Sequence, residues 1–264
     1  MTPVTRSVAV RRADNPGPMT LDGTRSYVLR APGARECVIV DPGPDDDAHV
    51  RALAAVAPVA LVVVTHRHAD HTAGSALLRE LTGAPVRAAD AAHCHGAAPL
   101  RDGELLEIAG LGIGVVATPG HTADSVCFRV TAPDGERVLL TGDTVLGVGT
   151  TVIAQPDGSL GDYLASLDVL EPLGVGLRGL PGHGPVIDDL PGRVRQYRAH
   201  RLERLDQVRA ALRSLGAVPA ETGSALSDEL VERVTGVVYA DADPSVLGAA
   251  RQSVRAQLDY LATR

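Results

Sequence analysis

Between Thr65 and His71 the chain reads T-H-R-H-A-D-H, so that four side chains able to bind a metal, His66, His68, Asp70 and His71, fall within six consecutive positions. Three imidazoles and a carboxylate crowded into one turn leave polar groups stranded unless they share a cation, because burying an unpartnered polar group is costly. The turn follows directly on Ala60-Leu61-Val62-Val63-Val64, a short run rich in β-branched residues. This pattern predicts a buried strand that delivers the ligands at its carboxyl end, with a helix behind them over Thr72 to Leu81.

Three further apolar runs each end in a possible ligand beside glycine. Val115 to Thr118 leads through Pro119-Gly120 to His121, Val138 to Thr141 through Gly142 to Asp143, and Leu177 to Pro181 through Gly182 to His183. Glycine lets the backbone turn sharply and keeps side chains from crowding a metal. With the turn they make seven ligands, too many for one tetrahedral zinc, which in a catalytic site also keeps a position open for water. Seven suit two ions roughly 3.5–4 Å apart with a bridging carboxylate, an arrangement that can hold a shared hydroxide and clamp the attacking and leaving oxygens. The reading is a dinuclear zinc hydrolase, with iron or manganese also suited to such N/O donors. A purely structural zinc is disfavoured, because structural sites are closed by four protein ligands. Asp70 is in addition the candidate catalytic group, placed to steer a hydroxide or pass a proton. Asp41 and Thr65, at strand ends beside the ligands, are candidates for supporting the histidines from behind, with a plain turn role as the alternative. Taken singly, His49, His93, His95 and His200 read as surface or satisfied core histidines.

Around these runs the chain alternates strand and helix. Strands are expected over Val8 to Val10, Ser26 to Arg30 and Cys37 to Val40, and a helix over Asp46 to Ala57 with its acidic start suited to the helix dipole. In the second half, strands are expected over Leu105 to Ile108, Ile113 to Thr118, Val126 to Val130 and Val138 to Thr141, then a helix over Tyr163 to Leu170. Composition shifts near Pro191. Arg193 to Arg213 carries seven arginines and an apolar stripe, which predicts one long helix, and shorter helices follow over Ser227 to Val234 and Pro244 to Leu261. The expected division is a catalytic α/β domain over 1–191 and an all-helical unit over 192–264.

Composition narrows the function further. A net charge of −7 argues against a general binder of polyanions, and the 25 basic residues are all arginine. No apolar stretch approaches bilayer length, and Met1 to Val10 lacks the apolar core of a signal peptide. Cys37, Cys94 and Cys127 show no CxxC spacing and read as reduced thiols. A cytoplasmic protein without a membrane partner is expected; its oligomeric state is not written in the sequence.

The motifs resemble a known family. T-H-R-H-A-D-H matches the HxHxDH signature of the metallo-β-lactamase superfamily, and T-P-G-H-T, T-G-D-T and P-G-H-G match its later ligand motifs in order. More narrowly, N-P-G-P-M-T-L-D-G-T, G-D-T-V-L-G-V-G-T-T-V-I, the run Asp162 to Leu167, P-G-H-G-P-V-I and Tyr197-x-x-His200-Arg201-x-x-Arg204 resemble the lactamase-beta-like-two branch. The resemblance implies an αββα sandwich with two zinc ions at one edge of its sheets and a C-terminal winged-helix-like unit. It implies that His66, His68 and His121 hold one ion, that Asp70, His71 and His183 hold the other with Asp143 bridging, and that Tyr197, His200, Arg201 and Arg204 contact substrate. This chain departs from the pattern at Met19 and Arg25-Ser26, which replace an aromatic residue and an Asn-Thr pair, at Ser125, and in a helical unit truncated before any β-hairpin wing.

By resemblance, the first expectation for function is an endoribonuclease-like phosphodiesterase acting on single-stranded RNA, which the arginine-rich helix supports. The alternative is a thioesterase similar to glyoxalase II acting on a small acyl substrate, with weak promiscuous β-lactam hydrolysis. Two observations weigh against RNA. Arginine stems lying over a core explain the same helix, and Phe128 and five tyrosines are the only aromatics, few platforms for stacking bases.

Overall fold

The expected strands form and sort into two mixed sheets. The computed structural model of the protein describes residues 1–153, 156–218 and 227–263; within the expected helical unit, residues 219–226 and 264 lie outside the described residues. The first sheet holds β1 (Thr2–Pro3), β2 (Val8–Arg12), β3 (Arg25–Leu29), β4 (Cys37–Val40), β5 (Val59–Val63) and β6 (Val86–Arg87), side by side in that order. Its first four strands are antiparallel neighbours, and β4, β5 and β6 run parallel. The second sheet holds β7 (Leu105–Ile108), β8 (Leu111–Ala117), β9 (Val126–Thr131), β10 (Arg137–Gly142) and β11 (Arg178–Pro181) in the order β11-β10-β9-β8-β7, with only β10 and β11 parallel.

Side chains alternate across a strand, and here both faces of each sheet find cover. Tyr27, Leu29, Val38, Val40, Leu61 and Val63 of the first sheet meet Ile113, Val115, Phe128, Val130, Val138 and Leu140 of the second. The alternate residues Val28, Ile39 and Val62 turn outward to α1 (Asp47–Ala54) and, beyond the short α2 (Ala69–Thr72), to α3 (Ser75–Thr82). On the outer face of the second sheet, Cys127 and Leu139 pack under α4 (Leu160–Leu173) and α5 (Leu190–Ser214). The result is the αββα sandwich that the motifs implied.

One expected helix divides. Thr72 to Leu81 is not continuous, because Gly74 N donates to the Gly43 carbonyl at 3.0 Å instead of continuing the helical ladder, an approach so close that a Cβ there would stand 2.7 Å from the Pro42 carbonyl oxygen and from Val50 Cγ2. The chain breaks at this glycine into α2 and α3.

The long arginine-rich helix forms as α5. Asp189 caps it by accepting from Gly192 N at 2.9 Å, and Pro191 lies in its first turn, where a missing N–H costs nothing. Its buried residues Leu190, Val194, Tyr197, Arg201, Leu205, Val208 and Leu212 recur every three or four positions, one stripe of a helix. The stripe passes through two cores. Leu190 to Leu205 pack with α4, whereas Val208 and Leu212 pack with Val231 and Val234 of α6 (Asp228–Val238) and Val254 and Leu258 of α7 (Leu247–Ala262). The expected division after residue 191 thus falls in the first turn of a helix shared by both cores. Among the described residues no helix is long and apolar enough to cross a membrane.

Candidate metal centre

Four strands from the two sheets end at one edge of the sandwich, and their following residues meet there. His66 follows β5, His121 follows β8, Asp143 follows β10 and His183 follows β11. Asp70 and His71 come from the short α2. The sharp joins depend on close approach of backbone. A Cβ on Gly182 would lie 2.3 Å from Asp143 Oδ1 and 2.8 Å from His71 Cε1, so only glycine leaves the carboxylate its place.

The ligand atoms face one another in two groups. His68 Nδ1 lies 3.0 Å from His66 Nε2 and 3.1 Å from His121 Nε2. Asp70 Oδ2 lies 3.3 Å from both His71 Nε2 and His183 Nε2, and these two nitrogens are also 3.3 Å apart. Asp143 stands between the groups. Its Oδ2 is 3.2 Å from His183 Nε2, 3.8 Å from His121 Nε2 and 4.0 Å from His66 Nε2, and its Oδ1 is 3.6 Å from His71 Nε2. All seven residues expected from the sequence are therefore brought together.

Five of the seven are oriented from behind, His66, Asp70, His71, His121 and His183. Asp41, whose backbone has a left-handed φ of 53°, accepts from Thr65 N at 2.7 Å and Thr65 Oγ1 at 2.8 Å, and its Oδ2 lies 2.8 Å from His71 Nδ1. Thr65 Oγ1 lies 3.0 Å from His66 Nδ1. The Val152 carbonyl accepts from His121 Nδ1, and the Gly23 carbonyl stands 3.4 Å from His183 Nδ1. Thr24 Oγ1 donates to Asp70 Oδ2 at 2.8 Å. Asp41 and Thr65 were among the expected supports. Thr24 was not, although like Thr65 it is a threonine flanking a strand, and the two carbonyls carry no signal in the residue type.

Charge and burial fit a cation. Burial holds His66 well below the ordinary imidazole range, lowers His68 and takes His121 down to about 4, so all three keep lone pairs free. In His71 and His183 burial also opposes protonation, but Asp143 and the neighbouring carboxylates outweigh it, raising His71 well above its usual value and His183 to about 9. Burial likewise opposes ionisation of Asp70 and Asp143, yet the surrounding histidines hold both carboxyls far below the usual range. Asp143 Oδ1 is buried without a hydrogen-bond partner. A buried, orphaned carboxylate oxygen among imidazole nitrogens, in a set of five histidines and two aspartates, fits divalent ions that favour N and O donors. His66, His68 and His121 form one group able to hold an ion, Asp70, His71 and His183 another, and Asp143 reaches both.

The residues expected at the substrate divide. His200 and Arg204 are partly buried and line a groove of about 460 Å³ beside Val152, edged by Pro18 and Met19. Tyr197 is buried, its Oη accepting from Leu146 N at 3.0 Å. Arg201, at the groove floor, is 3% exposed and donates to the Thr151 carbonyl. Neither this groove nor a larger depression of about 790 Å³ around Gly112, Gly114 and Arg129 on the second sheet is lined by the clustered ligands, but the groove adjoins them through Val152, whose carbonyl meets His121.

Residues 19–183 match the Metallo-beta-lactamase superfamily. The chain belongs to that superfamily. It is 32% identical over 252 residues to an atrochrysone carboxyl ACP thioesterase of Aspergillus chevalieri, covering 93% of this chain and 79% of the relative. It is 32% identical over 260 residues to a beta-lactamase-like protein 2 homolog of Caenorhabditis elegans, covering 94% and 81%. A metallo-beta-lactamase family protein of Thermus thermophilus shares the fold, with a TM-score of 0.74 at 23% identity over 98% of this chain and 94% of the other. The protein is a metal-dependent hydrolase, and its paired His and Asp groups make a divalent metal site.

Proposed function

We propose that the protein hydrolyses a thioester or a similarly activated acyl compound with two divalent ions, zinc foremost. His66, His68 and His121 would hold one ion and Asp70, His71 and His183 the other, with Asp143 between them. The state of the arginines on α5 carries the choice of substrate. Arg193 is spent on the backbone carbonyls of Leu146 and Gly149, and Arg201 is buried on that of Thr151. Arg195 pairs with Glu171, Arg198 with Asp168 and Arg209 with Asp206. Binding a nucleic acid draws on several cations free to neutralise phosphates. Besides Arg201, the groove offers one guanidinium, that of Arg204, which stacks 4.9 Å over the Tyr239 ring. Its other walls include Pro18, Met19, Val152, Val246 and Ala250, a lining suited to an apolar acyl group. The relative named as a carboxyl ACP thioesterase supports the same reading.

Bound at these residues, divalent ions supply Lewis acidity toward a carbonyl and make water acidic enough to act as a nucleophile near neutral pH. The chain contributes the rest. His66, His68 and His121, kept neutral by burial, present lone pairs and no competing protons. Asp70, ionised and held at Oδ2 by the Thr24 hydroxyl, is placed to accept the proton of the attacking water and to pass it toward the departing thiolate. The products are a carboxylic acid and a thiol. On the same footing we place the protein in the cytoplasm, in keeping with free cysteines of which Cys37 and Cys127 are buried, their thiols pushed by burial up to about 11.

The test is a side-by-side assay of the purified, metal-quantified protein on an acyl thioester and on single-stranded RNA. Thioester turnover that stops on chelation, without RNA cleavage, is expected. Cleavage of RNA that is lost in Arg204→Ala, without thioester turnover, would overturn the reading.

A further inference from the structure

The segment from Asp143 to Val152 connects the carboxylate between the ligand groups to the carbonyl that holds His121, and α4 and α5 fasten it point by point. Tyr163 of α4 donates its hydroxyl to the Thr144 carbonyl at 2.6 Å. On α5, Tyr197 Oη accepts from Leu146 N at 3.0 Å, and Arg193 donates to the carbonyls of Leu146 at 3.2 Å and Gly149 at 2.7 Å. Arg201 closes the series. Its guanidinium donates to the Thr151 carbonyl and lies 5.2 Å over the Tyr163 ring. Directly beyond, Thr151 Oγ1 is 3.3 Å from His121 Nδ1, and the Val152 carbonyl accepts from that nitrogen.

The burial of Arg201 calls for an explanation. The residue is 3% exposed, no carboxylate lies within ion-pair range of it among the described residues, and its Nε has no hydrogen-bond partner. Taking a guanidinium out of water costs several kcal/mol, and an apolar side chain of similar size in such a place is often neutral or stabilising. Stability therefore gives no reason for an arginine at this position, whereas its hold on the Thr151 carbonyl does, because that group lies one residue before the Val152 carbonyl that meets His121. A carbonyl oxygen can only accept, so the one at Val152 puts the His121 proton on Nδ1 and leaves the lone pair at Nε2, facing His68.

We propose that Arg201 is a positioning residue for the metal centre, setting the Thr151–Val152 peptide and through it the ring of His121. The inference rests on the metal reading of the site and not on the identity of the substrate. It makes α5 a working part of the centre even though the helix supplies no ligand.

The test is cobalt(II) binding to the metal-free protein, followed by affinity and by the visible ligand-field bands, in the wild type, Arg201→Met, Arg201→Lys and Val234→Ala. Val234 is buried in the core of α5, α6 and α7, and its truncation is the control for lost stability alone. Arg201→Met is expected to bind cobalt roughly 10–100-fold more weakly with altered bands, the usual scale for losing a group behind a ligand. Arg201→Lys should recover part of both, and Val234→Ala should bind as the wild type does. A folded Arg201→Met with wild-type affinity and bands, or a loss matched by Val234→Ala, overturns the role of Arg201 while leaving the metal reading intact. Failure of the wild type to bind cobalt would instead remove the metal reading, and this role with it. If Arg201→Met does not fold, Arg201→Lys decides: weakened binding supports the role and wild-type binding overturns it.

Discussion

Thr24 Oγ1 donates to Asp70 Oδ2 at 2.8 Å while accepting from Asn15 Nδ2 at 3.0 Å, so a chain of hydrogen bonds from the N-terminal loop ends on the carboxylate proposed above for proton transfer. Thr24→Val keeps the shape of the fully buried side chain and removes the hydroxyl. Turnover or metal affinity should fall roughly 10–100-fold with the fold retained. Measuring kcat and metal content together checks this, and wild-type values for both would show that Asp70 needs no such support.

Asp143 is, among the described residues, the single carboxylate within reach of both ligand groups. Asp143→Asn keeps the volume and removes the charge, so metal content should drop and turnover collapse with any substrate. Metal analysis alongside activity tests it; full activity at unchanged metal content would remove Asp143 from between the ions.

Gly182 has no room for a methyl group, since a Cβ would meet Asp143 Oδ1 at 2.3 Å. Gly182→Ala should displace that carboxylate and destabilise the fold by about 1–3 kcal/mol, as overpacking does. Thermal unfolding together with metal content reads both effects. Unchanged values would mean that the loop yields at no cost.

His49 lies outside the metal centre, buried in α1 with Nε2 2.8 Å from Ser26 Oγ. Burial holds its pKa down to about 4 in the folded protein, against an ordinary value near 6.5. The unfolded chain therefore takes up this proton first as the pH falls. Stability is full above about 6.5 and declines as the pH drops through about 4, by about 3 kcal/mol at most. Urea unfolding at several pH values, compared with His49→Gln, reads the slope. Equal slopes in the two proteins would exclude His49 as the acid-sensitive group.

The clustering of the seven candidate ligands was legible because each is a distinctive residue type placed where an apolar run stops, and strand ends converge when sheets stack. Asp41 and Thr65 were legible for the same reason. Thr24 was not, because its contact with Asp70 spans 46 residues and is made by an ordinary loop threonine. The carbonyls of Gly23 and Val152 are backbone atoms, which every residue has. Arg201 shows a different limit: a basic residue on a helical stripe reads the same whether it reaches out to a ligand or in to a carbonyl, and only packing tells the two apart. The break at Gly74 was likewise hidden, since the loop that crowds it lies some thirty positions earlier.

The order of the chain gives the shared helix α5 a consequence for how the protein matures. Synthesis runs from the N-terminus, and domains fold as their segments become available. The first ligand is His66 and the last is His183, but the stripe of α5 that braces the Asp143–Val152 segment extends to Arg201. A nascent chain that has already displayed all of its ligand histidines still lacks the brace for His121. On the role proposed for Arg201, such a nascent chain would hold metal more weakly than one in which α5 has been made as far as that residue.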